Sequence, residues 1–251
     1  MIIGIGVGGE PEKVARTAAR VGDRAQVVCY CRPGVMAGYG AACRESDKPE
    51  EALVADLMTG RIDGAVRGTL PANETLRCLK RACHTDHLER VALLETADGV
   101  QFLLAPVGVD EGWTVSEKLA FVTKAREIAR SFGLSERVAV LSGGRFGDVG
   151  RHPAVDRSLA DAELVARLGN AEHCEILIED AVRRCGVIIA PDGISGNLIF
   201  RTLTFLGKGS GHGAPVVNID RIFVDTSRAS PDYTNAILLA GSMAAGNKRE
   251  I

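Results

Sequence analysis

Short runs of β-branched and other apolar residues recur along this chain, and longer segments with helical periodicity separate them. The runs predicted as strands are residues 2–7, 26–31, 64–66, 91–95, 101–105, 138–142, 187–190 and 216–224. Such an alternation is typical of α/β proteins, whose sheets are largely parallel. In open sheets of this kind, ligands bind at the carboxyl ends of the strands.

The clearest predicted helix covers residues 115–132, where apolar residues recur at helical spacing. Thr114 and Glu117 form a capping box at its start, and Gly133 ends it. Residues 161–168 and 235–245 predict further helices. Residues 172–184 fit a strand followed by a turn of helix, and that segment is left open.

The composition is that of an ordinary globular protein. At 251 residues the chain can form one large domain or two medium ones. Charged residues make up 25% and the formal net charge is −2, so nothing attracts the chain to nucleic acid or to an anionic membrane. No apolar run approaches the roughly 20 residues that span a bilayer. We therefore expect a cytoplasmic protein with neither nucleic acid nor membrane as a partner.

The seven cysteines are an odd number without a Cys-x-x-Cys pair, and several lie inside apolar runs. In that setting a thiol behaves as a small hydrophobic group, which predicts reduced core residues. Cys29 and Cys31 share one face of a predicted strand, but no histidine nearby completes a ligand set. We expect no metal site.

A glycine-rich stretch at residues 142–152 follows a predicted strand and is a plausible crossover between two lobes. The predicted first lobe is discontinuous, with residues 1–141 plus 220–251, and the second lobe comprises residues 142–219. A cleft between the two crossings would then collect the polar turns that end the strands. The same stretch offers backbone N–H groups beside Arg145, which suit a phosphate or a carboxylate, although Asp148 opposes a negative ligand.

Two polar turns link a predicted strand to a predicted helix. In the first, Asp192, Gly196 and Asn197 follow the apolar run 187–190, where they either orient a ligand or cap the helix. In the second, Ser227, Arg228 and Asp232 fit an acid–base site with a charge clamp. The same residues also fit an ordinary helix start in which Asp232 is a first-turn acid. Spacing favours the helix start.

A Gly4-x-Gly6-x-x-Gly9 pattern matches the dinucleotide fingerprint. Its first glycines lie inside the predicted strand, and the next strand ends in Arg32 where an acid would bind a ribose. Glycines that allow close packing explain the pattern better than a nicotinamide site.

The two turns resemble signatures of the phosphate acetyl/butyryltransferase family. Pro191-Asp192 with Gly196-Asn197 is similar to that family's Pro-Asp-x-x-x-Gly-Asn turn. Ser227-Arg228 and the later Asp232 to Asn235 segment are similar to Ser-Arg followed by Asp-x-x-Asn, if two residues are deleted between the halves. Residues 60–68 and 137–142 are similar to two further segments, and Arg67 stands where the family has lysine.

Within this superfamily the chain most resembles the MtxX-type methanogen marker proteins, which are described as related to methyltransferases and so to methanogenesis. Residues 192–197 and the loop with Arg145 and Arg151 carry this resemblance. It implies two α/β/α lobes around a central cleft, like isocitrate/isopropylmalate dehydrogenase, and a homodimer.

The resemblance also implies roles for residues. Asp232 would deprotonate an incoming thiol, Arg228 would stabilise negative charge on the carbonyl, and Ser227 would hydrogen-bond the same centre. The substrate-binding residues would be Ser142, Arg145, Gly147, Asp192, Gly196, Asn197 and Arg67. Asp148 stands where the family has a serine, so like-charge repulsion disfavours phosphate as a substrate.

The resulting hypothesis is a transferase that moves an acyl or one-carbon group between a thiol carrier, similar to coenzyme A, and an unidentified acceptor. One alternative is a non-catalytic accessory subunit that binds a metabolite and assembles with methyltransferase subunits. The other is an NAD(P)-dependent dehydrogenase on the related fold.

Overall fold

The chain divides into two compact units, each built around its own sheet. A computed structural model describes residues 1–247, with side chains up to residue 246. Unit 1 comprises Met1–Leu88 and His212–Ile251, and unit 2 comprises Glu89–Gly211. Helices flank both sheets, which confirms the predicted α/β fold class.

In the described part of the chain, the strands are β1 (Ile2–Val7), β2 (Gln26–Cys31), β3 (Cys43–Glu45), β4 (Gly64–Val66), β5 (Ala92–Glu95), β6 (Gln101–Ala105), β7 (Val138–Val140), β8 (Glu172–His173), β9 (Val187–Ile189), β10 (Ser210–Gly211), β11 (Ala214–Pro215) and β12 (Phe223–Asp225). The helices are α1 (Pro11–Val21), α2 (Pro49–Met58), α3 (Ala72–Ala82), α4 (Val115–Ser131), α5 (Pro153–Leu168), α6 (Ile178–Arg184), α7 (Gly193–Phe205) and α8 (Thr234–Asn247).

The sheet of unit 1 has the strand order β11-β12-β4-β1-β2-β3. All neighbours in it are parallel except β11, which pairs antiparallel with β12. The chain leaves β1 toward β2 on one side and later returns to β4 on the other side of β1. The strand order therefore reverses between β1 and β4, which is where open α/β sheets place ligands.

The core of unit 1 is aliphatic. Ile3, Ile5 and Val7 on β1 are fully buried. Leu53 and Leu57 of α2 join one hydrophobic cluster with residues of α3, β4 and β12. Helix α1 packs against α8, and α2 packs against α3.

The sheet of unit 2 has the order β10-β5-β6-β9-β7-β8, in which β6, β9, β7 and β8 are parallel. Strand β5 is antiparallel to both β6 and β10. Helix α4 packs against β9 and α5. Its start is the predicted capping box, since the Thr114 side chain accepts from the Glu117 N–H.

The predicted lobes differ from these units. The predicted first lobe has residues 1–141 and 220–251, whereas the compact unit ends at Leu88 and resumes at His212. Strands β6 and β7 both pair with β9, and β5 pairs with β6. Residues 89–141 therefore belong with the second sheet.

Two predicted elements also need correction. Residues 216–224 are not one strand, because β11 and β12 form an antiparallel pair and residues 216–222 connect them. Helix α5 begins at Pro153 and not at residue 161, because the His152 ring caps the N–H of Ala154 and Pro153 occupies the first helical position. The segment left open is β8 followed by α6. None of the helices in the described residues could cross a membrane.

Candidate functional site

Three adjacent parallel strands of unit 1 end at the same edge of the sheet. Strand β1 leads into Gly8, Gly9 and Glu10, β4 leads into Arg67, and β12 leads into the segment with Arg228. Between these loops lies a cavity of about 460 Å³. Its lining residues are Gly8, Gly9, Glu10, Thr69, Pro71, Arg228 and Ala229. The cavity thus lies at the point where the strand order reverses.

Close backbone contact between the loops after β1 and β4 forms one wall of the cavity. The Thr69 hydroxyl accepts from the N–H groups of Gly8 at 3.0 Å and Gly9 at 3.2 Å, and donates to the Gly9 carbonyl at 2.7 Å. A Cβ on Gly8 would lie 2.8 Å from the Thr69 carbonyl oxygen, and one on Gly6 would lie 2.6 Å from that of Arg67. Packing therefore requires glycine at positions 6 and 8. This agrees with the packing interpretation of the fingerprint for Gly6, whereas Gly9 has open space at its Cβ position.

Arg67 joins the carboxyl ends of β4 and β12. It is only 5% exposed, and its guanidinium pairs with the buried Asp225 carboxylate. It also donates to the Leu70 carbonyl at 2.9 Å and to the Thr226 carbonyl. The guanidinium therefore holds two loops together, and its predicted contact with substrate stays a prediction.

Arg228 lies on the cavity lining and its side chain is exposed. Within the described residues, its guanidinium makes no hydrogen bond or ion pair. Arginine presents several N–H donors in a planar fork that matches carboxylates and phosphates. Of the three residues predicted to be catalytic, Arg228 is the one that lines this cavity.

Lys13, on α1, fixes the segment that carries Arg228. Although charged, it is only 8% exposed. Its Nζ donates to the carbonyl oxygens of Arg228 at 2.9 Å and Ser230 at 3.1 Å, and lies 5.3 Å from the Tyr233 ring centroid. Burial alone would lower the pKa of Lys13, but hydrogen bonding to Glu10 and the nearby Tyr233 raise it overall. The Lys13 ammonium is thus a buried positive charge that binds the backbone of the segment with Arg228.

Glu10 is the acidic residue of the cavity lining. Its Oε2 accepts from Lys13 Nζ at 2.7 Å, yet its side chain remains 62% exposed. Its backbone lies in the left-handed region, with φ 48° and ψ 53°, just before α1 begins at Pro11. Residues other than glycine rarely adopt this backbone conformation. It separates Glu10 from the helical backbone of α1.

Asp232 lies at the start of α8 and away from the cavity lining. Its Oδ2 accepts from Arg20 at 2.6 Å, and its Oδ1 accepts from the Thr234 N–H at 2.9 Å. Ser227 forms a local turn, because its Oγ accepts from the Ala229 N–H at 3.2 Å. Helix α8 begins at Thr234 and has no acid in its first turn, so the prediction of Asp232 as a first-turn acid is wrong. Catalytic roles for Ser227 and Asp232 stay predictions.

In unit 2, the first turn of α7 packs directly on the loop that follows β6. A Cβ on Gly193 would lie 1.5 Å from the Gly108 carbonyl oxygen, and one on Gly196 would lie 1.9 Å from that of Pro106. Asn197 Nδ2 donates to the Val107 carbonyl at 2.9 Å, and Asp192 Oδ1 caps the Ser195 N–H at 2.8 Å. The turn from Pro191 to Asn197 therefore caps α7 and fixes its first turn to the backbone of the loop that follows β6.

A buried ion pair fixes the same loop. Glu111 is 4% exposed, and its carboxylate accepts from Arg90 Nε at 2.6 Å and from the Gly108 N–H at 3.1 Å. Its backbone carbonyl accepts from the Gly193 N–H at 3.0 Å. Burial raises the pKa of the Glu111 carboxyl, and the Arg90 guanidinium opposes that rise. Sequence reasoning missed this pair because neither residue lies in a recognised motif.

In the loop 142–152, backbone N–H groups donate hydrogen bonds to carboxylates of unit 2. Asp148 accepts from the Arg145 N–H at 2.8 Å, Glu175 from Phe146 at 2.7 Å, and Asp156 from Gly150 at 2.8 Å. These carboxylates stand where an anionic ligand would bind to the same donors.

The remaining predicted residues of this loop have different surroundings. Ser142 is buried, where its Oγ donates to the Gly144 carbonyl at 2.9 Å and lies 3.0 Å from His173 Nε2. Arg145 is exposed. Gly147 has open space within 4 Å of its Cβ position. The structure thus brings Ser142, Arg145 and Gly147 into one loop.

Lys118 of α4 is a second buried lysine, in unit 2. Its nearest carboxylate is Asp161, with Nζ and Oδ2 3.9 Å apart, a distance too long for a hydrogen bond. Burial lowers the pKa of Lys118, whereas Asp161 and Asp192 oppose that change. In the described residues no group of His, Cys, Asp or Glu is arranged to hold a metal ion.

Comparison with known proteins places the chain in a family. It is 51% identical over 209 residues to "Putative methyltransferase mtx subunit X" of Methanosarcina barkeri, covering 81% of this chain and 77% of the relative. The chain belongs to the mtx subunit X family. An "Uncharacterized methyltransferase" of Methanopyrus kandleri is 39% identical and covers 98% of this chain and 100% of the relative. No family model matches the chain.

Solved structures support the fold of this mtx subunit X family member. A branched-chain phosphotransacylase from Enterococcus faecalis has a TM-score of 0.73 at 18% identity, covering 97% of this chain and 98% of that one. A phosphotransacetylase from Streptococcus pyogenes has a TM-score of 0.69 at 19% identity, covering 98% and 94%. The resemblance to the MtxX-type proteins and to the phosphate acyltransferase-like fold is confirmed.

Proposed function

We propose that this chain is a transferase that moves an acyl or one-carbon group between a thiol carrier, similar to coenzyme A, and an acceptor still to be identified. The edge of the sheet in unit 1 would bind the anionic part of the substrate. The names of the relatives, which call them methyltransferases, and the phosphotransacylase-like fold support a transferase.

The observation that carries the proposal is the exposed Arg228 guanidinium on the lining of the cavity at the β1/β4 reversal. An arginine held there by backbone contacts to Lys13 is ready to receive a carboxylate, a phosphate or a developing oxyanion. Preorganised donors of this kind stabilise charge as it develops during group transfer.

Glu10 is our candidate for the group that accepts the thiol proton. Glu10 lines the same cavity as Arg228, whereas Asp232 lies outside the lining. In an acyl transfer the carrier sulfur would bond to the acyl carbon as its proton passes to Glu10, and the bond to the original donor would break. Lys13 pairs with Glu10 and keeps the carboxylate near the loop.

A non-catalytic accessory role is the second candidate. Asp232, the base implied by the superfamily, is committed to an ion pair and a cap, which favours a site that binds without turnover. The word "subunit" in the relatives' name supports assembly with methyltransferase subunits. A homodimer, a cytoplasmic location and the dehydrogenase alternative stay predictions.

The test is a thermal-shift screen of the full chain with coenzyme A, acetyl phosphate, S-adenosylmethionine and nicotinamide cofactors. A ligand at a hundredfold its dissociation constant adds about 2.7 kcal/mol to stability. We expect coenzyme A or acetyl phosphate to stabilise the protein. Stabilisation by a nicotinamide cofactor alone would contradict the transferase proposal and favour the dehydrogenase.

Two variants then separate transfer from binding. Glu10→Gln removes the carboxylate that lines the cavity, and Asp232→Asn removes the one at the α8 start. In an assay of acyl exchange between acetyl phosphate and coenzyme A, the proposal expects a loss in Glu10→Gln of about 10²-fold or more, and a much smaller loss in Asp232→Asn. Binding of coenzyme A without any exchange by the wild type would contradict acetyl phosphate as the donor and would favour the accessory role.

A further inference from the structure

Three cysteines lie together at the outer edge of the sheet in unit 1. Cys29 and Cys31 are on β2, and Cys43 begins the edge strand β3. Cys29 and Cys31 are fully buried, whereas Cys43 is exposed. All seven cysteines are free thiols. This cluster is outside the cavity and has no part in the proposed function.

The strand register decides which of the two buried thiols Cys43 can reach. Cys29 is the direct partner of Cys43 across the parallel β2 and β3 pair. Neighbouring strands lie about 4.8 Å apart, which is inside the range of about 4.4–6.8 Å between the Cα atoms of a disulfide. Cys31 is two residues farther along β2, so its Cα lies about 8 Å from that of Cys43 by strand geometry. Disulfides do not form beyond about 7 Å without backbone movement.

The side chains also face the same way. Residues paired in register on parallel strands point to one face of the sheet. Burial raises the pKa of Cys29 to about 12, and the neighbouring Cys43 thiol adds to that rise. Burial and Cys43 raise the pKa of Cys31 as well, so it is the strand register that distinguishes the two buried thiols.

We propose that Cys29 and Cys43 form a redox-modification site, in which exposed Cys43 reacts with a low-molecular-weight disulfide and buried Cys29 completes an intrachain disulfide. In the first step the Cys43 thiolate attacks one sulfur of the reagent, forms a mixed disulfide and releases one thiolate. In the second, the Cys29 thiolate attacks Cys43 Sγ and releases the second thiolate. The two protein protons end on the two released thiols, the protein is oxidised by two electrons, and the reagent is reduced by two.

The new bond would tie the edge strand to the sheet. The loop between β2 and β3, residues 32–42, carries Gly34, Gly38 and Gly40 with positive φ, and its chain is mostly exposed. Strand β3 has β2 as its neighbour in the described sheet. Besides the backbone hydrogen bonds to β2, an ion pair of Arg44 with Asp56 on α2 and a hydrogen bond from the Gly34 N–H to Glu45 hold it there. A disulfide between Cys29 and Cys43 would close this loop into a covalent ring.

The experiment oxidises the reduced full chain with glutathione disulfide, blocks remaining thiols and maps the peptides by mass. The wild type should lose two of its seven free thiols and yield a linked peptide pair containing Cys29 and Cys43. The Cys43→Ser variant should keep all its remaining thiols and yield no linked peptide pair. The Cys31→Ser variant should form the same linked pair as the wild type. Cys83→Ser is the matched control, because Cys83 is partly exposed and its sulfur neighbour is Met58.

Cys29→Ala and Cys29→Ser test the second step, and circular dichroism checks that at least one of them folds. Either variant should stop at one glutathionyl group on Cys43. In the wild type, conversion of the mixed disulfide should accelerate about tenfold for each pH unit between 7 and 9, because the thiolate fraction of a buried thiol rises tenfold per unit below its pKa. A wild type that also stops at the mixed disulfide would overturn the proposal. So would a linked pair that lacks Cys43.

Discussion

At the sheet edge of unit 1 the Arg228 guanidinium lines a cavity without a protein partner in the described residues, whereas in unit 2 the loop 142–152 directs its backbone N–H groups to Asp148, Asp156 and Glu175. Both edges end parallel strands, and both carry predicted site residues. The difference shows that position at a strand end does not by itself make a ligand site. What matters is whether carboxylates of the protein already bind the donor groups at that strand end.

The two arginines after β4 and β12 make the same contrast within unit 1. Arg67 is buried and bonds to protein acceptors, whereas Arg228 is exposed. Replacing Arg67 with Met should lower the free energy of unfolding by about 3–5 kcal/mol, because a buried ion pair loses one charge. Arg228→Met should change it by less than about 0.5 kcal/mol. Chemical denaturation of both variants checks this, and equal losses would remove the distinction.

Arg228 should matter for function and not for folding. If the site is catalytic, Arg228→Ala should slow turnover by about 10²–10³-fold, the effect of losing one preorganised donor. Arg228→Lys should not restore turnover, because an ammonium cannot reproduce the two-pronged geometry. Arg16→Ala is the matched control, since Arg16 is exposed on α1 outside the cavity lining. Full activity of Arg228→Ala in the exchange assay would end its catalytic assignment.

The loop 142–152 should become an anion site if its own acid is removed. Asp148→Ala frees the Arg145 N–H and the Arg151 guanidinium, which now lies 2.8 Å from the carboxylate. We expect affinity for inorganic phosphate to rise about tenfold, with a stability loss of about 1 kcal/mol. Calorimetric titration measures the first effect. Asp98→Ala removes the same charge elsewhere in unit 2, and an equal gain there would show a general field effect.

The two buried lysines give the smallest expected contrast. Lys13 has three short hydrogen bonds, whereas Lys118 has a carboxylate at 3.9 Å. Because the folded state lowers the pKa of Lys118 below the usual 10.5, charging it opposes folding, and stability should rise with pH between the folded pKa and 10.5. Lys118→Met should therefore gain about 1 kcal/mol at neutral pH.

That gain should shrink as the pH rises through 10.5, because above that pH the wild-type amine is neutral in both the folded and the unfolded state. Urea denaturation at several pH values measures it. Lys13→Met, by contrast, should lose stability at neutral pH. A destabilised Lys118→Met would show that its distant carboxylate contact stabilises the fold after all.

The sequence predicted the elements whose signals are local. Strand runs such as β1 and β2 are bounded by turn residues, and Thr114 with Glu117 marks the start of α4. The boundary at Leu88 carries no such signal. It depends on strand pairing between segments far apart in sequence, which periodicity cannot reveal.

The site was predicted in part for the same reason. The turn with Arg228 was found because a strand end precedes a helix start. Glu10, just before α1, and Lys13, on α1, reach the cavity region from more than two hundred residues earlier in the chain. The one local signal for Glu10 was Pro11 at a helix start, which marks the position and not the role. Asp232 was predicted as a first-turn acid, but α8 begins only at Thr234 and Asp232 accepts from the Thr234 N–H. Spacing alone does not fix at which residue a helix begins.

The central claim is that the substrate's anion is bound by unit 1 through Arg228 and not by the loop 142–152. The most direct measurement is calorimetric titration of coenzyme A into the wild type, Arg228→Ala and Arg145→Ala, since both arginines are exposed and each belongs to one edge. We expect Arg228→Ala to raise the dissociation constant for coenzyme A by about tenfold or more. Arg145→Ala should leave that constant within about twofold of the wild-type value. Loss of binding in Arg145→Ala with unchanged binding in Arg228→Ala would contradict it.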